Sequence, residues 1–237
     1  MKTQQKGFVI AIDGPAAAGK GTIVQLLTEH FKGVNIYTGG MYRALALKCI
    51  RSDIDLNDSE QIIHILNETK IDLGADGSMG AVAQIFLDGG NVTNEIRTPK
   101  AALGAGKVGQ IKQVRQVMLF KQREIAQRFV DQGRVVIIDG QDIARSVYPQ
   151  AKVKIFLTAT QEERAKRRKK QYDKQGINKT MSDMLEEIKI RDTNDFTREL
   201  HPLSNVPEKD GYSVVDSTNL NELETKDAIV EIVSKNK

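Results

Sequence analysis

The sequence has few of the residues that build disulfide scaffolds, membrane spans or base-stacking surfaces. Cys49 is the single cysteine among 237 residues, so no disulfide can form within the chain. Tryptophan is absent and aromatic residues make up 5%, which argues against a nucleic-acid platform built on stacked bases. No apolar run approaches the roughly 18 residues of a membrane-spanning helix, and the N-terminus lacks the apolar core of a signal peptide. We therefore expect a cytoplasmic protein without membrane or nucleic-acid partners.

The overall charge gives only a weak indication of the partner. The 35 lysines and arginines exceed the 31 aspartates and glutamates, which gives a formal net charge of +4. This balance favours anionic partners without identifying one. The apolar content of 40% and charged content of 28% are typical of a globular protein with a sizeable core.

Short apolar runs alternate with helical patterns along most of the chain. The runs predict buried strands at 8–12, 34–37, 134–138, 153–157 and 212–215. Apolar residues at helical spacing predict helices at 20–31, 41–50, 109–131, 161–175, 181–195 and 221–235. Because strands that alternate with helices form parallel sheets with right-handed crossovers, we expect a three-layer α/β/α core around a five-stranded parallel sheet.

Residues 53–106 break this alternation. The segments "KIDLGAD" and "AQIFLDGGNVT" are short, alternating and punctuated by glycine, which is typical of a small antiparallel sheet. We therefore expect an inserted subdomain at 53–106, with residues 1–52 and 107–237 forming the core.

The loop after the first strand, "DGPAAAGKGT", indicates a nucleotide phosphate site. Gly14, Gly19 and Lys20 fit the pattern G-x-x-x-x-G-K-[ST], but Gly21 takes the place of the usual hydroxyl residue and Thr22 follows one position late. A small-residue loop between a buried strand and a helix directs backbone N–H groups at a polyphosphate. The predicted phosphate-binding residues are Gly14, Pro15, Ala16, Ala17, Ala18, Gly19, Lys20, Gly21 and Thr22, with Thr22 also a candidate magnesium ligand.

The G-K-G-T ending resembles that of nucleoside monophosphate kinases, which transfer the γ-phosphoryl group of ATP to a nucleotide's phosphate. Such a reaction needs cations to hold two phosphates in line, but no strong general base. Arg43 follows the second strand, where a parallel sheet presents its ligand loops. Arg191, Asp195 and Arg198 share one helical face, which is also compatible with a solvated salt-bridge surface.

Two further segments have a functional and a plain interpretation. The strand "RVVIID" ends at Asp139, which either holds hydrated magnesium or only begins a turn. The basic run, residues 164–170, contains six cations. It is either a solvated helix face or part of a mobile lid at about 161–180, whose Arg164 and Arg167 close over the transferring phosphates.

Five segments in the same order resemble the bacterial cytidylate kinases and span most of the chain. They are "IDGPAAAGKGT", "YTGGMYR", "VTNEIRTP", "VYPQAKVKIFLTATQEERAKRR" and "EIKIRDTNDFTRELHPL". The resemblance implies a kinase that uses ATP and Mg2+ to convert CMP or dCMP to the diphosphate.

The resemblance also implies a role for each matching residue. Thr38, Arg115 and Asp142 fall where the family reads the cytosine edge, and Asp195 falls where it holds the sugar hydroxyls. Arg43, Arg191 and Arg198 fall at the acceptor phosphate. Lys20 belongs with the ATP phosphates, Asp139 with hydrated magnesium, and Gln141 with the substrate.

Four positions depart from the family pattern. Gln141 stands where an arginine is usual, which removes a fixed charge and a bidentate donor. Arg145 appears four residues later, and we hypothesise that it partly replaces that charge. Tyr37 replaces an acidic residue, and Gly106 replaces a serine near the sugar, so the preference between CMP and dCMP is open.

Other functions remain open from the sequence. A related kinase acting on UMP or a non-nucleotide acceptor is one, and an ATP-binding pseudo-kinase that serves as an interaction module is another. A nucleic-acid-binding function rests only on the basic run and the net charge. We expect a monomer, because lid and subdomain closure take place within one chain. His30, His64 and His201 are too scattered for a metal cluster and predict surface or packing roles.

Overall fold

The computed structural model describes residues 7–74 and 84–236. The N-terminal residues 1–6, and residues 75–83 within the predicted subdomain, lie outside this part of the chain. The described residues form two compact units. The first contains residue 7 and residues 31–136, and the second contains residues 8–30 and 137–236.

Eight strands and eight α-helices are found in the described residues. The strands are β1 (Phe8–Asp13), β2 (Val34–Tyr37), β3 (Ile71–Gly74), β4 (Gln84–Leu87), β5 (Gly90–Asn91), β6 (Val135–Asp139), β7 (Val153–Thr158) and β8 (Ser213–Asp216). The helices are α1 (Lys20–His30), α2 (Thr38–Arg51), α3 (Ser59–Glu68), α4 (Pro99–Val108), α5 (Lys112–Asp131), α6 (Gln161–Lys174), α7 (Met181–Thr197) and α8 (Glu222–Lys235).

The larger sheet confirms the predicted α/β fold, mostly parallel with helices on both sides. Its five strands follow the order β2-β6-β1-β7-β8. β7 is parallel to both neighbours, with Ile10 of β1 opposite Val153 and Ile155 of β7 opposite Ser213 of β8. Ile10 and Ile12 are completely buried, which explains why β1 is a continuous apolar run rather than an alternating one.

The second sheet confirms the antiparallel pattern expected after the second strand. It has the order β3-β4-β5, and Ile71 of β3 lies opposite Leu87 of β4. The sequence analysis missed α3 and α4 in this region. α3 begins after Asp58, whose side chain accepts a hydrogen bond from the Gln61 N–H, and α4 begins after Thr98 with proline in its first turn. Asp58 and Thr98 are ordinary N-cap residues, but the glycine-punctuated segments between them led us to predict only strands in this region.

One predicted helix was three residues too long at its N-terminal end. The helix expected at 109–131 begins at Lys112, because α4 ends at Val108 and Gly109 donates its N–H back to Ala105. α4 packs closely on α2, since a Cβ on Gly104 would lie 2.8 Å from the Ala46 Cβ. None of the helices in residues 7–74 and 84–236 is both long and apolar enough to cross a membrane.

Candidate active site

The phosphate loop, residues 14–19, follows β1 and has a backbone that few sequences can adopt. Its φ angles are positive at Gly14 (147°), Ala17 (59°) and Gly19 (97°). A Cβ on Gly14 would collide with the Leu157 carbonyl oxygen of β7, so only glycine fits there. The loop leads directly into α1, whose first-turn N–H groups have no partners within the helix. Backbone N–H groups at the start of a helix are able to bind an anion.

Lys20 begins α1 and folds back over the loop. Its Nζ donates hydrogen bonds to the carbonyl oxygens of Gly14, at 2.5 Å, and Pro15, at 2.9 Å. Burial lowers the pKa of Lys20 from its ordinary value, while the nearby carboxylates of Asp139, Asp13 and Asp195 oppose that shift. The ammonium group is therefore held among three acidic side chains at the start of the helix.

Two aspartates end neighbouring strands of the sheet. Burial raises the pKa of the Asp139 carboxyl at the end of β6, and the Lys20 charge opposes this effect. Asp13, at the end of β1, is fully buried and accepts from the N–H groups of Ile143, at 2.6 Å, and Ala144, at 2.9 Å. The Tyr212 hydroxyl also donates to Asp13, at 2.7 Å. The sequence analysis did not identify this role of Asp13 in fixing the segment after β6.

Arg164 and Arg167 of α6 contact the phosphate loop through its carbonyl groups. Arg164 is 4% exposed, pairs through both terminal nitrogens with Asp192 of α7, at 2.8 and 2.6 Å, and donates to the Ala16 oxygen at 3.2 Å. Arg167 donates to the Ala18 oxygen at 3.0 Å and to the Ser217 oxygen at 2.7 Å. Both guanidinium groups thus hold the loop from α6.

Other cations of the basic run form ion pairs with nearby carboxylates. Arg168 lies 3.0 Å from Glu187 and 4.8 Å from the centre of the Tyr172 ring. Lys169 lies 2.9 Å from Asp173, one helical turn away. These pairs support the interpretation of a salt-bridged helix face for this part of the run.

Gln141 lies between two of the predicted acceptor residues. Its amide nitrogen donates a short hydrogen bond to the buried carboxylate of Asp195, and its oxygen accepts from Arg198 at 2.6 Å. Arg191 lies 3.3 Å from the same Asp195 oxygen, and 59% of its side chain is exposed. The structure therefore brings Gln141, Arg191, Asp195 and Arg198 together through hydrogen bonds and an ion pair.

Asp142 follows Gln141 and is 2% exposed, with a left-handed backbone (φ 65°). Its Oδ2 accepts a short hydrogen bond from Ser146 and lies 3.3 Å from His201 Nδ1. Its Oδ1 is buried and accepts no hydrogen bond from any group in the described residues, although Arg145 Nε lies 3.5 Å away. Sequence reasoning missed Ser146 and His201, because their contact spans 55 residues and matches no local pattern.

The remaining predicted residues belong to the first unit. Thr38 is buried and begins α2, and Arg43 of the same helix donates to the Ile96 oxygen at 3.2 Å. Arg115 of α5 donates to the Gly109 oxygen at 3.0 Å. A Cβ on Gly106 would meet no atom within 4 Å, so the site has room for the serine that is usual there.

Comparison with known proteins identifies the family. The family model described as "Cytidylate kinase" matches residues 10–235, nearly the whole chain. The chain belongs to the cytidylate kinase family. The predicted resemblance is therefore confirmed, and with it the prediction that the protein is a phosphotransferase.

Curated members of the cytidylate kinase family match along nearly their whole length. The cytidylate kinase of Caldicellulosiruptor bescii is 42% identical over 231 residues, which cover 97% of each chain. That of Caldanaerobacter subterraneus subsp. tengcongensis is 41% identical, covering 96% of this chain and 95% of its own. A solved structure, TT1252 from Thermus thermophilus, aligns over 97% of each chain with a TM-score of 0.46 and 16% identity.

Proposed function

We propose that the protein transfers the terminal phosphoryl group of ATP to CMP or dCMP, giving ADP and CDP or dCDP. The observation that carries this proposal is a cytidylate kinase sequence over residues 10–235 that retains a properly formed phosphate loop ending in Lys20. The curated relatives are named cytidylate kinases, and the phosphate loop of the second unit is suited to phosphoryl transfer.

The donor end of the site fits a nucleoside triphosphate with magnesium. The N–H groups of the phosphate loop and the Lys20 ammonium contact the donor phosphates and stabilise charge that develops on them. Two residues would hold Mg2+ through oxygen atoms. Asp139 would act through a water molecule, and Thr22 is exposed in the first turn of α1. When bound, this ion neutralises phosphate charge.

The acceptor end supplies cations rather than a base. The attacking phosphate oxygen is already an anion, so its approach to the donor depends on positive charge that offsets repulsion. Arg191 and Arg198 take this role, and Arg43 is assigned to the acceptor phosphate on the family resemblance alone. Asp195, whose carboxylate Gln141 and Arg191 both contact, binds the sugar hydroxyls.

Base selection is assigned to Asp142, with Thr38, Arg115 and Gln141 completing the substrate-binding set. The buried Oδ1 of Asp142 accepts no hydrogen bond within the described residues, so it is able to accept one from the amino group of cytosine. Uracil carries a carbonyl oxygen at that position, so two acceptors would face each other. The site therefore favours a cytosine over a uracil nucleotide.

A panel of acceptors tests the proposed function. We expect ADP release with CMP or dCMP to exceed that with UMP by about 100-fold in kcat/KM, because an unsatisfied buried carboxylate penalises the wrong base. Coupled measurement of ADP, with chromatography of the diphosphate product, gives the ratio. Equal rates with UMP would reject the cytosine assignment, and ADP release that ignores every nucleotide acceptor would reject the kinase activity.

Arg145 carries a separate prediction. If it partly replaces the charge that Gln141 lacks, Arg145→Ala will lower kcat/KM for CMP several-fold, since one cation contributes to transition-state stabilisation. Arg145 is 3.5 Å from both Asp142 and Asp210, so Asp210→Asn serves as a control for loss of the Arg145–Asp210 ion pair. Unchanged turnover and CMP affinity in Arg145→Ala would refute the hypothesis.

The domain organisation of the chain is also proposed from its membership of the cytidylate kinase family. We assign residues 1–52 and 107–237 to the kinase core, 53–106 to an inserted CMP-binding subdomain, and about 161–180 to a lid. Closure over the phosphates by Arg164 and Arg167 belongs to this proposal. The monomeric state, the cytoplasmic location and the lack of a nucleic-acid partner remain predictions from the sequence.

A further inference from the structure

A hydrogen-bonded chain of two side chains holds the buried carboxylate of Asp142. Ser146 lies one turn beyond Asp142 in the π-helical turn Ile143–Val147, and its N–H donates to the Asp142 carbonyl at 3.0 Å. The Ser146 hydroxyl donates to Asp142 Oδ2, and His201 Nδ1 lies 2.6 Å from the same hydroxyl oxygen.

The proton positions in this chain follow from its members. An ionised carboxylate only accepts hydrogen bonds, so the single hydroxyl proton of Ser146 points at Asp142. The Ser146 oxygen must then accept from His201, which requires a proton on Nδ1. The direction is therefore His201 Nδ1–H to Ser146 Oγ–H to Asp142 Oδ2. The Ser146 hydroxyl, oriented by His201, occupies one carboxylate oxygen and leaves the other, Oδ1, as the acceptor.

His201 is itself held in a defined position. Its backbone is left-handed (φ 55°), a conformation that few residues other than glycine and asparagine adopt readily. Its carbonyl oxygen accepts from Arg198 Nε at 2.7 Å, and Arg198 also reaches Gln141. The histidine thus connects the segment after α7 to the carboxylate that follows β6.

We propose that Ser146 and His201 are positioning residues for base selection. They keep Asp142 in one rotamer, with Oδ2 occupied and Oδ1 presented to an amino-group donor. This inference rests on the proposed function, in which Asp142 selects cytosine. A carboxylate that lost these donors could rotate to offer either oxygen, and the geometry that rejects a carbonyl-bearing base would be lost.

Variants of the two residues test the proposal. Ser146→Ala and His201→Gly remove one donor each, and glycine keeps the left-handed backbone. Each is expected to raise the KM for CMP about tenfold, with a smaller change in kcat, because Ser146 donates to the charged Asp142 carboxylate and His201 orients that donor. The KM for ATP is expected to stay within twofold, and the CMP-to-UMP ratio of kcat/KM to fall about tenfold.

A conservative variant separates positioning from simple loss of structure. His201→Asn tolerates the left-handed backbone and places an amide N–H near the former Nδ1, so we expect it to restore most of the CMP-to-UMP ratio. His64→Asn, on the exposed face of α3, is the matched control. Melting temperatures of all variants show whether a change in selectivity accompanies a loss of stability.

The outcomes distinguish this inference from the function on which it rests. Asp142→Asn is measured in parallel, with CMP and UMP affinities also determined by calorimetry. If Asp142→Asn loses cytosine selectivity while Ser146→Ala and His201→Gly keep it, the positioning role is wrong and the proposed function stands. If Asp142→Asn keeps the selectivity, both assignments fail. Parallel increases in the KM for ATP and CMP would also overturn the positioning role.

Discussion

Replacing Lys20 with methionine is expected to lower kcat about 100- to 1,000-fold, the usual cost of removing one group that stabilises developing charge. Methionine keeps an apolar stem of similar length but cannot neutralise the donor phosphates. The variant also loses the hydrogen bonds from Nζ to Gly14 and Pro15, so the phosphate loop loses two of its internal contacts. Steady-state ADP formation with CMP, at saturating ATP, measures the effect.

Lys235→Met is the matched control for charge. Lys235 lies near the end of α8 in an exposed pair with Glu231, and its removal is expected to leave kcat within twofold. The melting temperature of Lys20→Met shows whether the chain remains folded. A folded Lys20→Met variant that keeps a third or more of the original kcat would show that Lys20 does not contact the reacting phosphates.

Asp192→Asn is expected to reduce the free energy of unfolding by about 3–5 kcal/mol, the usual cost of breaking a buried ion pair from one side. Arg164 would keep its charge in a site where it is 4% exposed, with an amide in place of its bidentate partner. For a chain of this length the loss corresponds to a fall in melting temperature of roughly 10 °C. Thermal or denaturant unfolding measures it.

Two comparisons decide whether burial causes this effect. Glu231→Gln breaks the exposed pair with Lys235 and should change stability by less than about 1 kcal/mol. The double variant Arg164→Met with Asp192→Leu removes both charges and should recover part of the loss. If Asp192→Asn melted within about 2 °C of the unaltered chain, the Arg164–Asp192 pair would not be an important stabilising contact.

The inner strands of the larger sheet, β6, β1 and β7, were predictable because they are largely buried on both faces. β2 was predicted with its observed bounds, and β1 and β7 to within a residue, because each is a short, mainly apolar run. The alternating segments also predicted the antiparallel sheet. α3 and α4 were missed, although Asp58 and Thr98 are ordinary N-caps, because glycine-rich neighbours suggested strands throughout the region.

The site was predictable where function depends on a local pattern. Gly14, Gly19 and Lys20 lie within seven consecutive residues, so their spacing between a buried strand and a helix was enough to predict a phosphate loop. The contacts between distant residues left no such pattern. The Arg164 contact with the Ala16 carbonyl spans 148 residues, and the His201 contact with Ser146 spans 55. Only the folded chain shows that arginines predicted to close over phosphates hold the loop through its carbonyl groups.

We propose that the acceptor site selects a cytidine monophosphate. Isothermal titration of CMP, dCMP and UMP into protein saturated with a non-hydrolysable ATP analogue and Mg2+ tests it most directly. CMP or dCMP is expected to bind about 100-fold more tightly than UMP, and Asp142→Asn is expected to remove most of this difference. UMP binding as tight as that of CMP, or no binding of any of the three, would contradict it.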